Sequence, residues 1–139
     1  MQAIFDALAA DEKMSTLVRV LKKAGLDEML QGDDRFTLFA PDNDAFIRMD
    51  IEKDLDDPEK LKSIMKYHLV SGKYSAADIK EMETLTTTEG KALTITLDEG
   101  SVVVDNGKFI KTDIECSNGV IQVIDNVFKP QLSGWYRDE

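Results

Sequence analysis

The rarest reactive side chains in this 139-residue sequence are one histidine, His68, and one cysteine, Cys116. His68 lies close to Ser71 and Ser75, so a histidine-activated hydroxyl is a reaction the chain could in principle support. No Gly-x-Ser-x-Gly turn is present to hold such a nucleophile. A lone cysteine forms no internal disulfide and no Cys-pair zinc site, and a lone histidine removes His-rich metal sites. Cys116 sits in an apolar-alternating segment, Phe109 to Val123, and is expected to be a small buried residue. Phosphate-holding loops of the Gly-x-Gly-x-x-Gly or Gly-Lys-Ser/Thr kind are absent from the sequence. The acids Asp50, Glu52, Asp54, Asp56, Asp57 and Glu59 could offer oxygens to calcium, but no Asp-x-Asp-x-Asn-Gly loop organises them. They read as a solvated face. The sequence therefore predicts no catalytic residue, no metal ligand and no cofactor.

Charge narrows the partners further. The chain carries 17 Lys+Arg against 27 Asp+Glu, a formal net charge of −10. The imbalance is shared evenly between residues 1–70 and 71–139, so no basic half exists along the sequence. Nucleic-acid binding through a cationic half, and attraction to an anionic membrane, are both disfavoured. No apolar run exceeds four residues (Ala7–Ala10 is one), so nothing predicts membrane insertion. Asp6, Asp11 and Glu12 fall where a signal peptide needs a basic start and an apolar stretch. Either the protein is cytoplasmic, or this is a mature domain whose export signal has been cut away.

The elements that would position these residues divide the chain into a helical first half and a strand-rich second half. Leu17, Val18, Leu21 and Ala24 recur at helical spacing, and Gly25 stands where a left-handed helix end belongs. A short helical turn is predicted through Leu30, stopping at Gly32. Phe36-Thr37-Leu38-Phe39 has strand composition, and Pro41 to Asp44 ends it. Asp42 or Asn43 can cap the next helix, which carries Ala45, Phe46 and Met49 on its apolar side. A longer helix is predicted from Asp57 to Leu69, with Asp57 as cap and Pro58 in the first turn. Leu61, Ile64, Met65, His68 and Leu69 make its buried stripe. Ser75-Ala76-Ala77-Asp78 resembles a capping box opening a short helix with Ile79 and Met82.

From Glu83 the period becomes two. Strands are expected over 85–88, 93–97, 102–104, 109–115 and 120–124, with Asn106-Gly107 as a type I′ hairpin turn. Helices followed by consecutive antiparallel strands predict an α+β fold. Residues 1–130 are expected to form a single domain, with 131–139 as a short C-terminal tail. Leu132, Trp135 and Tyr136 in that tail either fold back on the domain or contact a partner.

Three segments together resemble one known family. Phe36-Thr37-Leu38-Phe39-Ala40-Pro41-Asp42-Asn43-Asp44-Ala45-Phe46 is similar to the first conserved box of fasciclin-like domains. Tyr67-His68 is similar to their Tyr-His motif, and Asn118 to Val127 to their second box. The resemblance spans about residues 3–130 and implies helices packed on a compact, antiparallel, β-sandwich-like core. It also implies a non-catalytic adhesion module of secreted or surface-anchored proteins, placed outside the cell, on its surface or in the periplasm. Its partner would be a protein or a matrix or cell-surface ligand, and the isolated domain is expected to be a monomer. In animal members, recognition by integrins is associated with the Tyr-His region and an Asp-Ile pair before the second box. The matching positions here are Tyr67, His68, Asp113 and Ile114. The sequence departs from the family at Gln122, where members often carry His.

Each matching residue also has a purely structural reading. His68 lies on the apolar stripe of its helix, where an imidazole usually supplies a core hydrogen bond. Tyr67 is one position off the stripe and is expected to be partly exposed, which makes it the preferred contact of the pair. Asp113 and Ile114 are neighbours on a strand and should point to opposite faces. They form a joint surface motif only if the strand bulges or ends there. The rival function is a small-molecule or lipid carrier with a groove between helices and sheet, lined by Met14, Met49, Met65 and Met82.

Overall fold

The computed structural model describes residues 2–32, 34–49, 58–105 and 107–128. It opens with α1 (Ile4–Ala9), which sequence periodicity did not single out because only Ile4, Phe5 and Leu8 are buried on it. No local side chain caps α1; instead Asn118 Oδ1 accepts from the Ile4 amide at 2.8 Å. The second helix, α2 (Ser15–Ala24), ends at Gly25 with φ +79°, as its composition predicts. Its N-terminus is also capped from afar: Asn43 Oδ1 accepts from Thr16 N at 2.9 Å, and Asn43 Nδ2 donates to the Glu12 carbonyl at 3.1 Å. That frees Asp42 to cap α3 (Asn43–Met49) through the Ala45 amide at 3.0 Å. The two candidate caps thus serve two different helices.

Strand β1 (Phe36–Pro41) is buried along its whole length. α4 (Pro58–Lys66) is shorter than its stripe predicts. Phe39 N donates to the His68 carbonyl at 2.9 Å, drawing the chain out of the helix into β2 (Leu69–Ser71), antiparallel to β1. His68 and Leu69 stay buried, but as a turn and a strand. α5 (Ala76–Lys80) carries both bonds of the expected capping box, Asp78 N to Ser75 Oγ at 3.1 Å and Ser75 N to Asp78 Oδ2 at 3.0 Å. Then come β3 (Thr84–Thr86), β4 (Ala92–Asp98), β5 (Ser101–Val104), β6 (Gly107–Cys116) and β7 (Gly119–Ile124).

The strands form one seven-stranded sheet in the order β2-β1-β7-β6-β5-β4-β3. The α+β class holds, but the sheet is mixed, because β1 and β7 pair in parallel from Phe36↔Gly119 to Pro41↔Ile124. Both strands start from Asn118, whose carbonyl accepts from Phe36 N at 3.0 Å. Gly119 is held at φ +148°, and a Cβ there would lie 1.9 Å from the Phe36 carbonyl oxygen. Only glycine fits. At the other end of the sheet, Thr88 N donates to the Leu69 carbonyl at 2.8 Å and Thr88 Oγ1 to Lys66 O at 3.0 Å. These bonds bring the β3 side back to β2, so the sheet curls almost into a barrel.

Curling makes two cores. One lies between the helices and the sheet and takes Leu17, Leu21, Leu61, Ile64, Leu38, Ile121 and Cys116. The other lies inside the curl and takes Phe39, Tyr67, Ile79, Leu93, Val104, Ile124 and Phe128. Central strands apolar on both faces are what two-sided burial requires. One turn differs from expectation. Val104 pairs with Gly107, so Gly107 belongs to the strand and the turn opens at Asp105, held at φ +52°. Space is tight at Gly107, where a Cβ would sit 3.0 Å from the Phe128 ring. The acidic stretch 50–57 and the tail from 129 onward, with Leu132, Trp135 and Tyr136, lie outside the described residues.

Candidate functional site

The Tyr67-His68 pair is built into the inner core. Tyr67 is 5% exposed, which corrects the expectation of a partly exposed contact residue. Its hydroxyl donates to Asp105 Oδ2 at 2.5 Å, while Asp105 Oδ1 accepts from Thr94 N at 2.8 Å. The ring therefore follows its hydroxyl inward to the β5–β6 turn. Burial, then the hydrogen bond and negative charge of Asp105, push the phenol above its ordinary range.

His68 is fully buried, and backbone groups occupy both ring nitrogens. Nδ1 meets the Ile64 carbonyl at 2.8 Å, and Nε2 accepts from Phe128 N at 2.8 Å. An acceptor at Nε2 and a carbonyl at Nδ1 define the neutral Nδ1–H tautomer. Burial holds the imidazole down at about 4, against a weaker upward pull from the Ile64 carbonyl. The ring also stacks on Phe128 at 4.8 Å between centroids. No ring nitrogen remains for Ser71 or Ser75, which disposes of the histidine–serine hydrolase.

Asp113 and Ile114 belong to a different network. In β6, Lys111 pairs with Val123 and Ile114 with Ile121, so Thr112 and Asp113 together face Gln122 alone. This is a β-bulge, with Asp113 at φ +57°. The strand does bulge where a joint motif requires it. Asp113 is exposed, and Ile114 is half-buried against the helical core.

Gln122 is the centre of the arrangement and is fully buried. Its Oε1 accepts from Asp113 N at 2.9 Å, and its Nε2 donates to Asp113 Oδ1 at 3.0 Å and to the Tyr74 carbonyl at 3.3 Å. Asp113 Oδ1 also accepts from Ala76 N at 2.8 Å, at the start of α5. Thr37 of β1 holds the intervening loop, donating to Gly72 O and accepting from Tyr74 N, both at 2.8 Å. Sequence reasoning noted Gln122 only as a missing imidazole, because a lone Gln in an apolar strand gives no hint of its cross-strand partner. The surface beside the bulge carries the Lys73–Glu115 ion pair and Ile110, which is 55% exposed.

Among the described residues, the methionines named for a small-ligand groove pack into the two cores and do not gather. Met14 and Met65 are packed in the helical core, Met82 leans on the inner core, and the Met49 side chain lies outside the described residues. Cys116 is buried in the helical core, and burial pushes its thiol up, which disfavours the reactive thiolate. Among the described residues, no group of three or more His, Cys, Asp or Glu is placed to hold a metal ion. No helix there is long and apolar enough to cross a membrane.

Known proteins are similar to this chain in sequence and in fold. The chain is 40% identical over 93% of its length to protein sll1483 of Synechocystis sp., covering 74% of that protein. It is 38% identical over 91% of its length to the uncharacterized protein sll1735 of the same organism, covering 97% of it. A solved FAS1 domain pair from the insect cell adhesion molecule Fasciclin I shares the fold. It superposes with a TM-score of 0.79 at 22% identity, over 94% of this chain and 52% of that one. The Fasciclin domain family profile matches residues 12–130, and the chain belongs to that family.

Proposed function

We propose that the protein is a non-enzymatic adhesion module that binds a protein or matrix ligand outside the cell or at its surface. The bulge at Asp113 carries this reading, because it places a charged residue and a half-buried Ile on one rigid, solvent-facing feature. Rigidity matters here. Gln122, Ala76 and Thr37 hold the bulge and the adjoining loop, so binding would cost little ordering entropy. The contact surface runs along Lys73, Tyr74, Ile110, Asp113 and Ile114. Tyr67 and His68 act indirectly, by fixing the inner core beneath β1 and the segment ending at Phe128. The isolated domain is a monomer, residues 1–130 are its folding unit, and 131–139 are a tail. Adhesive strength would come from several copies side by side. Membership in the fasciclin-domain family and a shared fold with a cell adhesion molecule support the reading.

The test uses Ile110→Glu and Ile114→Ala, with circular dichroism to verify folding, in a cell- or matrix-attachment assay on multivalent beads. Attachment should fall about tenfold, as loss of a central apolar contact typically causes. Unchanged attachment by both folded variants overturns the proposal.

A further inference from the structure

The even charge along the sequence becomes uneven in three dimensions. Helices α2 and α4 hold six of the 17 Lys+Arg but only one of the 27 Asp+Glu. Their net charge is +5 in a chain of −10, which leaves −15 for everything else. The two helices pack on each other and bury Leu17, Val20, Leu21, Leu61, Ile64 and Met65 in the same helical core. Their solvent sides therefore form one outer layer. Arg19, Lys22, Lys23 and Lys62 are exposed on it, and Lys66 is half-buried. Among the described residues, Arg19, Lys23 and Lys62 have no ion-pair partner, and Lys22 lies 5.9 Å over the Phe5 ring.

From this we infer that the α2/α4 face is a second interaction surface, for a linear acidic polysaccharide. Shape selects the partner. Arg19 and Lys23, like Lys62 and Lys66, are four residues apart, about 6 Å along their axes. Packed helices lie roughly 8–10 Å apart, so the cations make a narrow strip and not a broad field. Acids flank it: Asp11 and Glu12 before α2, Asp27 and Glu28 after it. A flat anionic membrane or a wide duplex would meet those acids together with the strip. A thin polyanion would touch the strip alone. A thin nucleic acid also carries bases that want aromatic platforms. Neither helix contains an aromatic residue, and Val18 is their one half-buried apolar residue among those described. Repeated carboxylate or sulfate groups on an otherwise hydroxylated chain suit a strip of Lys and Arg with so little apolar exposure.

The experiment measures binding to a sulfated heparin-type oligosaccharide and to polygalacturonate. Neutral dextran, an oligothymidylate and phosphatidylserine vesicles are the controls. Two variants lose equal charge: Arg19→Gln/Lys23→Gln/Lys62→Gln on the strip, and Lys80→Gln/Lys91→Gln/Lys108→Gln elsewhere. At about 50 mM salt the strip variant should lose about tenfold in affinity for an acidic polysaccharide, and its salt slope should fall by about 0.7 per removed charge. The second variant should match the parent. Equal losses in both variants, no binding by the parent, or equal binding to vesicles or oligothymidylate would overturn the assignment. The adhesive bulge lies on β6, so Ile110→Glu should leave this binding intact whether or not that first reading holds.

Discussion

His68 shows how one residue can look functional and be architectural. Its imidazole is neutral in the fold, held at about 4 by burial, whereas an unfolded histidine titrates near its ordinary 6.5. The folded value is the lower one, so the unfolded chain binds the extra proton between those two pH values. Stability is then complete above about pH 6.5 and falls as the pH drops toward 4. Between pH 7 and pH 5 this histidine alone should cost about 2 kcal/mol. Urea unfolding at the two pH values checks it. A flat response would contradict the buried, doubly bonded imidazole. The Tyr-His pair was legible as a motif, but its burial was not. Periodicity placed Tyr67 off the stripe; a hydroxyl bond to Asp105, 38 positions away, pulled it in.

Elements were legible where their signals are local. Gly25 ends α2, Ser75 and Asp78 open α5, and alternation marks β4, because each depends on neighbours within about four residues. They were illegible where a distant side chain completes them. α1 and α2 lack local caps and borrow Asn118 and Asn43. Replacing Asn43 by Ala should cost about 1 kcal/mol, the usual worth of a helix cap, with faster amide exchange at Thr16. Unchanged exchange at Thr16 would show that the cap is not formed in solution. The bulge in β6 belongs to the same class. Nothing within the 109–115 segment announces it; Gln122 on the next strand supplies the bonds that hold the extra residue.

At the scale of the whole molecule, Asn118 joins the layers. Its side chain accepts from Ile4 N and donates to the carbonyls of Leu30 at 2.8 Å and Gly32 at 3.2 Å, while its backbone carbonyl starts β1. Asn118→Leu would leave several buried backbone groups unpaired, at 1–3 kcal/mol each, and should destabilise the domain by roughly 3–5 kcal/mol. Chemical denaturation measures this, and a loss below about 1 kcal/mol would mean that water or a shifted backbone replaces the amide. As a sequence, Asn118-Gly119 reads only as a turn. In the fold it holds α1, the 29–31 turn and the parallel β1–β7 pair at one point.

By itself the sequence determined the class, the family boxes, most strands and the absence of known catalytic loops, since composition, period and spacing are properties of neighbouring residues. Tertiary structure decided the rest. It set the parallel pairing, the burial of Tyr67, the exposure of Asp113 on a bulge and the gathering of lysines on α2 and α4 in an acidic chain. Each depends on residues tens of positions apart, brought together because two-sided apolar strands must be covered on both faces.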